Sequence, residues 1–313
     1  MNNTDKPPPA TPESANAIAA TPSKTPMYTA MHAERYQRQA LIRNIQERSG
    51  SQLLCYVAGK GASIDRDDTI GFVELLHNVD STKNVDLLMH TSGGDIDAAE
   101  KLIHMVRATV GQQYFRVIVP DFAKSAGTLM ALGADKIVMS DTSELGPIDP
   151  QIALNDGHGN MIPHSVQCYL DAYDTHSTAL QDNPDNVVAQ IMFSKLDPGT
   201  MKLFEQVRNR ARELAEQQLR RGMFRKMDAN SSAPSPNITE IAGKLIDTKK
   251  WQTHSQMISA DDAAQMNLSV EYLIPKSEQW QLYWQLYCMQ RLAVKDGQKL
   301  FESHYASLTL DKS

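Results

Sequence analysis

Cysteine is scarce in this chain. Cys55, Cys168 and Cys288 are odd in number, lie more than a hundred residues apart and form no CxxC pair, so neither a disulfide framework nor a zinc cluster fits them. Three reduced thiols point to a cytoplasmic compartment. No apolar stretch approaches the roughly 20 residues of a membrane span, and no basic start leads into an apolar run at the N-terminus, so neither a span nor a cleaved signal is expected. Charge of one sign is lacking too: 31 Lys and Arg against 37 Asp and Glu leave −6 with no charged tail, which gives no general ground for nucleic acid or an anionic membrane as partner. No GxGxxG follows a strand-like run and no lysine motif for pyridoxal phosphate is evident, so dehydrogenase chemistry has no support and no metal or organic cofactor is expected.

What is present is an ordinary globular balance, 41% hydrophobic and 22% charged. Six of the fifteen prolines fall in the first 26 residues among Thr, Ser, Ala and Asn, a composition too poor in apolar surface to offset its ordering entropy. Residues 1–28 therefore read as a disordered leader. Tyr28–Ser49 reads as a helix, with Leu41, Ile42 and Ile45 on one face. Apolar runs at Leu53–Ala58, Val85–His90, Phe115–Val119 and Lys136–Met139 alternate with helical patterns such as Ile70–His77 and Ala98–Val110, which predicts an α/β domain of parallel βαβ units.

Beyond Pro150, Asn155–Asn160 reads as a turn, Val166–Leu180 as a helix and residues 181–186 as a polar loop. Asp197 caps a long helix with Pro198 at its first position and an apolar stripe of Met201, Phe204, Val207, Ala211 and Leu214. Ser231–Pro236 is expected to be a linker or exposed loop. Glu278–Tyr305 is expected to be one helix, its aromatic stripe a packing or subunit interface. The cation-rich run Arg208–Lys226 has few interleaved aromatics, which favours a solvated helix face over a nucleic-acid surface.

Two strand-to-helix turns carry the chemistry. The first, His90–Asp95, pairs Gly93 and Gly94 ahead of the helix Ile96–Val110, where exposed N–H groups suit a developing oxyanion. The second places Ser125 at the start of the helix Ala126–Ala134, with small neighbours Ala126 and Gly127. Singly, each has a plain reading, a tight glycine turn and a serine N-cap. Jointly they supply the nucleophile and oxyanion donors that acyl transfer requires within about 3 Å of one carbonyl. Lys124 reads as a solvated loop cation.

The segments HTSGGDIDAAEKL, AKSAGTLMALGADKIVMS and SELGPIDPQI, within a stretch from about Arg35 to Leu273, resemble the Clp-peptidase and signal-peptide-peptidase superfamily of crotonase-like proteins, and most closely the serine dehydrogenase proteinases. The resemblance implies a spiral ββα core, assembly into rings or other homo-oligomers, and a serine peptidase acting on peptide or protein substrates; the helical C-terminal extension expected over 277–313 lies outside it. The resemblance also implies Ser125 as nucleophile and an oxyanion hole from Gly93 or Gly94 with Ala126. The sequence departs from the Clp pattern at the base, because Ile148-Asp149-Pro150 stands where a histidine is expected. His254 stands near the start of the segment that follows the Clp acid, so acid and base are expected to have exchanged places, in the order Ser125, Asp149, His254. A lysine base, Lys195 or Lys202, is the second solution and His164 the third. Two other functions fit the same fold: a catalytically silent scaffold, and an acyl-CoA hydratase or hydrolase, for which Glu144 is the candidate acid.

Overall fold

The computed structural model describes residues 24–155, 158–226 and 237–311. Most of the expected leader, the expected linker Ser231–Pro236 and two residues of the Asn155–Asn160 turn lie outside the described residues. The first helix begins at Pro26, with Thr25 as its cap. The strands in chain order are β1 (Gln52–Ala58), β2 (Val85–His90), β3 (Phe115–Ile118), β4 (Phe122–Ala123), β5 (Lys136–Met139), β6 (Glu144–Leu145), β7 (Gln151–Asn155), β8 (Met161–Ser165), β9 (Val270–Tyr272), β10 (Gln298–Glu302) and β11 (Ser307–Asp311).

Seven of them form one sheet in the order β11-β10-β1-β2-β3-β5-β9. From β1 to β9 every neighbour is parallel, whereas β10 and β11 join antiparallel. Register explains the continuous apolar runs. Leu54, Leu87, Val117, Ile137 and Val270 lie in one row across the sheet, and Cys55, Leu88, Ile118 and Val138 in the next. The first row enters a core built with the helices Ile96–Val110, Ala126–Leu132 and Pro198–Arg221, and the second a core built with Ala33–Ser49 and Glu278–Ala293. A parallel sheet covered on both faces needs apolar side chains at every position, each stabilising by about 1.5–3 kcal/mol when fully buried.

A short second layer rides on the C-terminal ends of the parallel strands. Ile64 bridges Gly94, Thr91 bridges Ala123, β4 pairs with β6, and Leu145 bridges Ile258. A unit of long strand, rim segment and helix thus recurs three times, through β1, β2 and β3, the rim segment being a single bridge after β1 and β2 and the strand β4 after β3, which is the expected ββα arrangement.

The helix expected over Glu278–Tyr305 ends at Ala293 instead. Gly297 turns the chain at φ +76°, and β10 then alternates between the two cores, Leu300 in one and Phe301 in the other against Tyr56 and Phe72. Its two charged residues are buried in pairs, Lys299 with Asp65 and Asp68 (2.6 Å each) and Glu302 with Arg38 (2.9 Å). Trp280, Tyr283, Leu286 and Tyr287 belong to this chain's own second core rather than to a subunit face. The cation run is largely paired: Arg210 with Asp97 and Glu100, Arg212 and Arg220 with Glu216, and Arg225 with Asp135.

Candidate active site

The two small-residue turns meet at the rim. Buried β2 delivers Thr91, whose Oγ1 accepts the Gly93 N–H at 3.1 Å. Gly93 and Gly94 adopt φ +99° and +149°, which side chains rarely enter. A Cβ on Gly94 would lie 2.3 Å from the Ile64 carbonyl oxygen, so only glycine admits that rim contact. Asp95 then caps the helix Ile96–Val110, its Oδ1 accepting from the Asp97 and Ala98 N–H groups. The second turn is tied to the first by the Lys124 N–H, which donates to Thr91 O at 3.0 Å, and by Gly127, where a Cβ would stand 2.6 Å from Thr91 Cγ2. Ser125 sits before the helix Ala126–Leu132 at φ +51°, ψ −118°, a strained conformation for a residue with a side chain.

A Cβ on Gly93 would lie 2.7 Å from Lys124 O and 3.1 Å from the Ala126 nitrogen. Its absence leaves space in front of the Ala126 N–H. Among the described residues, neither the Ala126 nor the Gly94 N–H meets an acceptor, while that of Gly93 is already engaged.

Asp149 is buried just after the rim, where the Ile148 N–H donates to Leu245 O at 3.0 Å. His254 lies on a loop anchored by the buried Trp251, whose indole N–H donates to Lys244 O at 2.6 Å. The two side chains meet: His254 Nδ1 stands 2.7 Å from Asp149 Oδ1, with the carboxylate 4% and the imidazole 22% exposed. A neutral imidazole that donates from Nδ1 presents Nε2 as an acceptor.

Ser125, Gly93, Gly94, Asp149 and His254 line one cleft of about 550 Å³. Its apolar walls are Ile96, Leu129, Ile148, Val207 and Ala211, and among the described residues no lysine or arginine lines it. Val207 and Ala211, from the long helix, read in the sequence as a packing stripe; nothing in their spacing separates cleft wall from core. Lys195 and Lys202 are exposed on the surface, the latter paired with Glu205, and His164 lies on β8 beside Tyr169. None of these three lines the cleft. Glu144, the candidate acid of a hydratase, is bound to Lys124 and also lies off the cleft wall. Lys124 is correspondingly not a solvated cation. Among the described residues no cluster of His, Cys, Asp and Glu could hold a metal ion, and no helix is long and apolar enough to cross a membrane.

Among curated proteins, the chain is 40% identical over 86 residues to "Uncharacterized protein MJ0137" and 28% identical over 131 residues to "Uncharacterized protein MJ1495", both of Methanocaldococcus jannaschii. These matches cover 28% and 37% of this chain, and the chain spans only 29% and 42% of those relatives. Among solved structures it is similar to the 1510-N membrane-bound stomatin-specific protease, with 15% identity, a TM-score of 0.30 and coverage of 72% of this chain and 100% of that one. It is similar also to ClpP1 from Listeria monocytogenes, with 9% identity, a TM-score of 0.35 and coverage of 80% and 98%. A family model described as ClpP-like SDH-type serine proteinase matches residues 25–216, a span that holds both small-residue turns and Asp149 but not His254. With well over half of its length matched, the chain belongs to the ClpP-like SDH-type serine proteinases.

Proposed function

We propose that the protein is a serine endopeptidase that cleaves unfolded or peptide substrates through an acyl-enzyme on Ser125. The observation that carries this reading is the 2.7 Å contact of His254 Nδ1 with buried Asp149 on the wall of the cleft that Ser125 lines. Ser125 Oγ attacks the scissile carbonyl while His254 Nε2 takes its proton and later gives it to the leaving amine; water then enters by the same route in reverse. Asp149 holds the imidazole in the Nδ1–H tautomer. Gly94 and Ala126, whose N–H groups meet no acceptor among the described residues, hold the oxyanion, and Gly93 shapes the space between them.

The exchanged triad is favoured over a lysine base because Lys195 and Lys202 lie away from the cleft. Glu144, engaged by Lys124, gives no support to hydratase chemistry. Assembly into a homo-oligomer and a reducing, cytoplasmic location complete the proposal, the latter on three free thiols. Intact-mass measurement after fluorophosphonate treatment tests it. One adduct on Ser125 is expected, none on Ser125→Ala, and hydrolysis by Ser125→Ala or His254→Ala should fall by on the order of 10⁴-fold or more. An unlabelled wild type would instead favour the silent scaffold.

A further inference from the structure

Lys124, next to Ser125, is 13% exposed along its side chain and takes no part in the cleft wall. Its ammonium group binds the Glu144 carboxylate and reaches Leu145 O at 3.3 Å, Ser255 O at 3.3 Å and Gln256 O at 3.4 Å. These acceptors belong to two segments, the rim strand β6 and the residues immediately after His254. The path of the stem is also shaped. A Cβ on Gly146 would stand 2.7 Å from Lys124 Cδ and 3.3 Å from its Cα and Cβ, so a glycine occupies the place where the lysine stem passes.

We propose that Lys124 is a positioning residue, a strut that sets the His254 loop at a fixed distance from the Ser125 turn. The inference rests on the reading of Ser125 and His254 as nucleophile and base. Asp149 orients the imidazole ring but leaves the backbone that carries it to be placed by other contacts. That backbone forms neither helix nor strand between Trp251 and Met257. Lys124, itself the residue before the nucleophile, joins that backbone directly to the Ser125 turn. A carboxylate and three carbonyls around one half-buried ammonium make a junction that no neutral side chain reproduces. A shift of about 1 Å between nucleophile and base is enough to cost on the order of 10²-fold in rate.

Two variants reach the strut by different routes. Lys124→Met keeps the stem and removes the charge, whereas Gly146→Ala keeps every charge and displaces the stem. Each should lower kcat and the rate of fluorophosphonate labelling by roughly 10–100-fold, with KM changed by less than about twofold. The double variant should be no slower than Lys124→Met, because with the ammonium gone a displaced stem has no junction left to break. Gly146→Ala carries the test where Lys124→Met yields little folded protein. Wild-type labelling rates in Lys124→Met or Gly146→Ala, beside an inert His254→Ala, would overturn the strut alone, as would losses that multiply in the double variant. A wild type unlabelled on Ser125, or a His254→Ala variant labelled at the wild-type rate, would remove the triad and the strut together.

Discussion

Gly93 and Ser125 pack so closely that a Cβ on the glycine would stand 2.8 Å from the Cβ of the serine, inside any tolerable carbon–carbon contact. Gly93→Ala must therefore move the nucleophile or the glycine turn, on top of placing alanine at φ +99°. Fluorophosphonate labelling should slow by on the order of 10²-fold or more, with a stability cost of about 1–3 kcal/mol. Labelling at the wild-type rate would show that the two turns flex independently.

Ser125 holds a positive φ in a region that glycine enters freely. Both Ser125→Gly and Ser125→Ala should be inactive, but glycine should relieve strain of about 1–3 kcal/mol and lose part of that to its larger unfolded entropy. Ser125→Gly is expected to be the more stable of the two by about 1–2 kcal/mol in urea unfolding. An alanine variant at least as stable would mean that the turn carries no such strain.

His90 is buried at the end of β2, where Tyr287 donates to Asp121 at 2.6 Å and so accepts from His90 Nδ1. Burial, aided by the Arg291 charge, pulls its pKa from 6.5 down to about 3. Asp121 lies 3.6 Å away and favours the charged form, yet it is partly exposed and already engaged by Tyr287, so burial prevails. The folded protein keeps His90 neutral while the unfolded chain takes up a proton below about pH 6.5, so stability is lost as pH falls from there towards 3. Between pH 7 and 5 this group should remove about 2 kcal/mol. Urea titrations at the two pH values should show that His90→Leu flattens this slope; an unchanged slope would assign the acid sensitivity elsewhere.

Glu302 accepts from Arg38, Gln290 and Ser307. Glu302→Ala leaves a guanidinium only 8% exposed without its counter-charge, at an expected cost of about 3–5 kcal/mol. Replacing both partners, Arg38→Met with Glu302→Met, should recover most of that loss in urea unfolding. A double variant as unstable as Glu302→Ala would place the damage in packing rather than in the orphaned charge.

The buried parallel strands were legible because burial on both faces leaves an uninterrupted apolar run; Val85–His90 and Lys136–Met139 match residue for residue. The rim strands were not, since two residues such as Phe122–Ala123 carry no periodicity. β10 was read as helix because Lys299 and Glu302 disguise it: charges in a central strand make sense only once Asp65, Asp68 and Arg38 are seen opposite. In the site, glycine and serine turns announce themselves by backbone demand. Approach of His254 to Asp149 brings together residues 105 apart through contacts such as Ile148 on Leu245 that no local pattern announces, and Lys124 shows nothing of its acceptors, most of which are backbone carbonyls.

β1 (Gln52–Ala58) pairs on one side with β2, which follows it closely, and on the other with β10 (Gln298–Glu302), which is remote from it in sequence. During synthesis from the N-terminus, the hydrogen-bonding edge that β10 will occupy stays open until residues 298–302 have left the ribosome. Such a pairing has very high contact order, and its closure is slow for entropic reasons. The nascent chain therefore carries an unpaired apolar strand edge from the emergence of β1 until that of β10, the kind of edge that recruits other strands and chaperones.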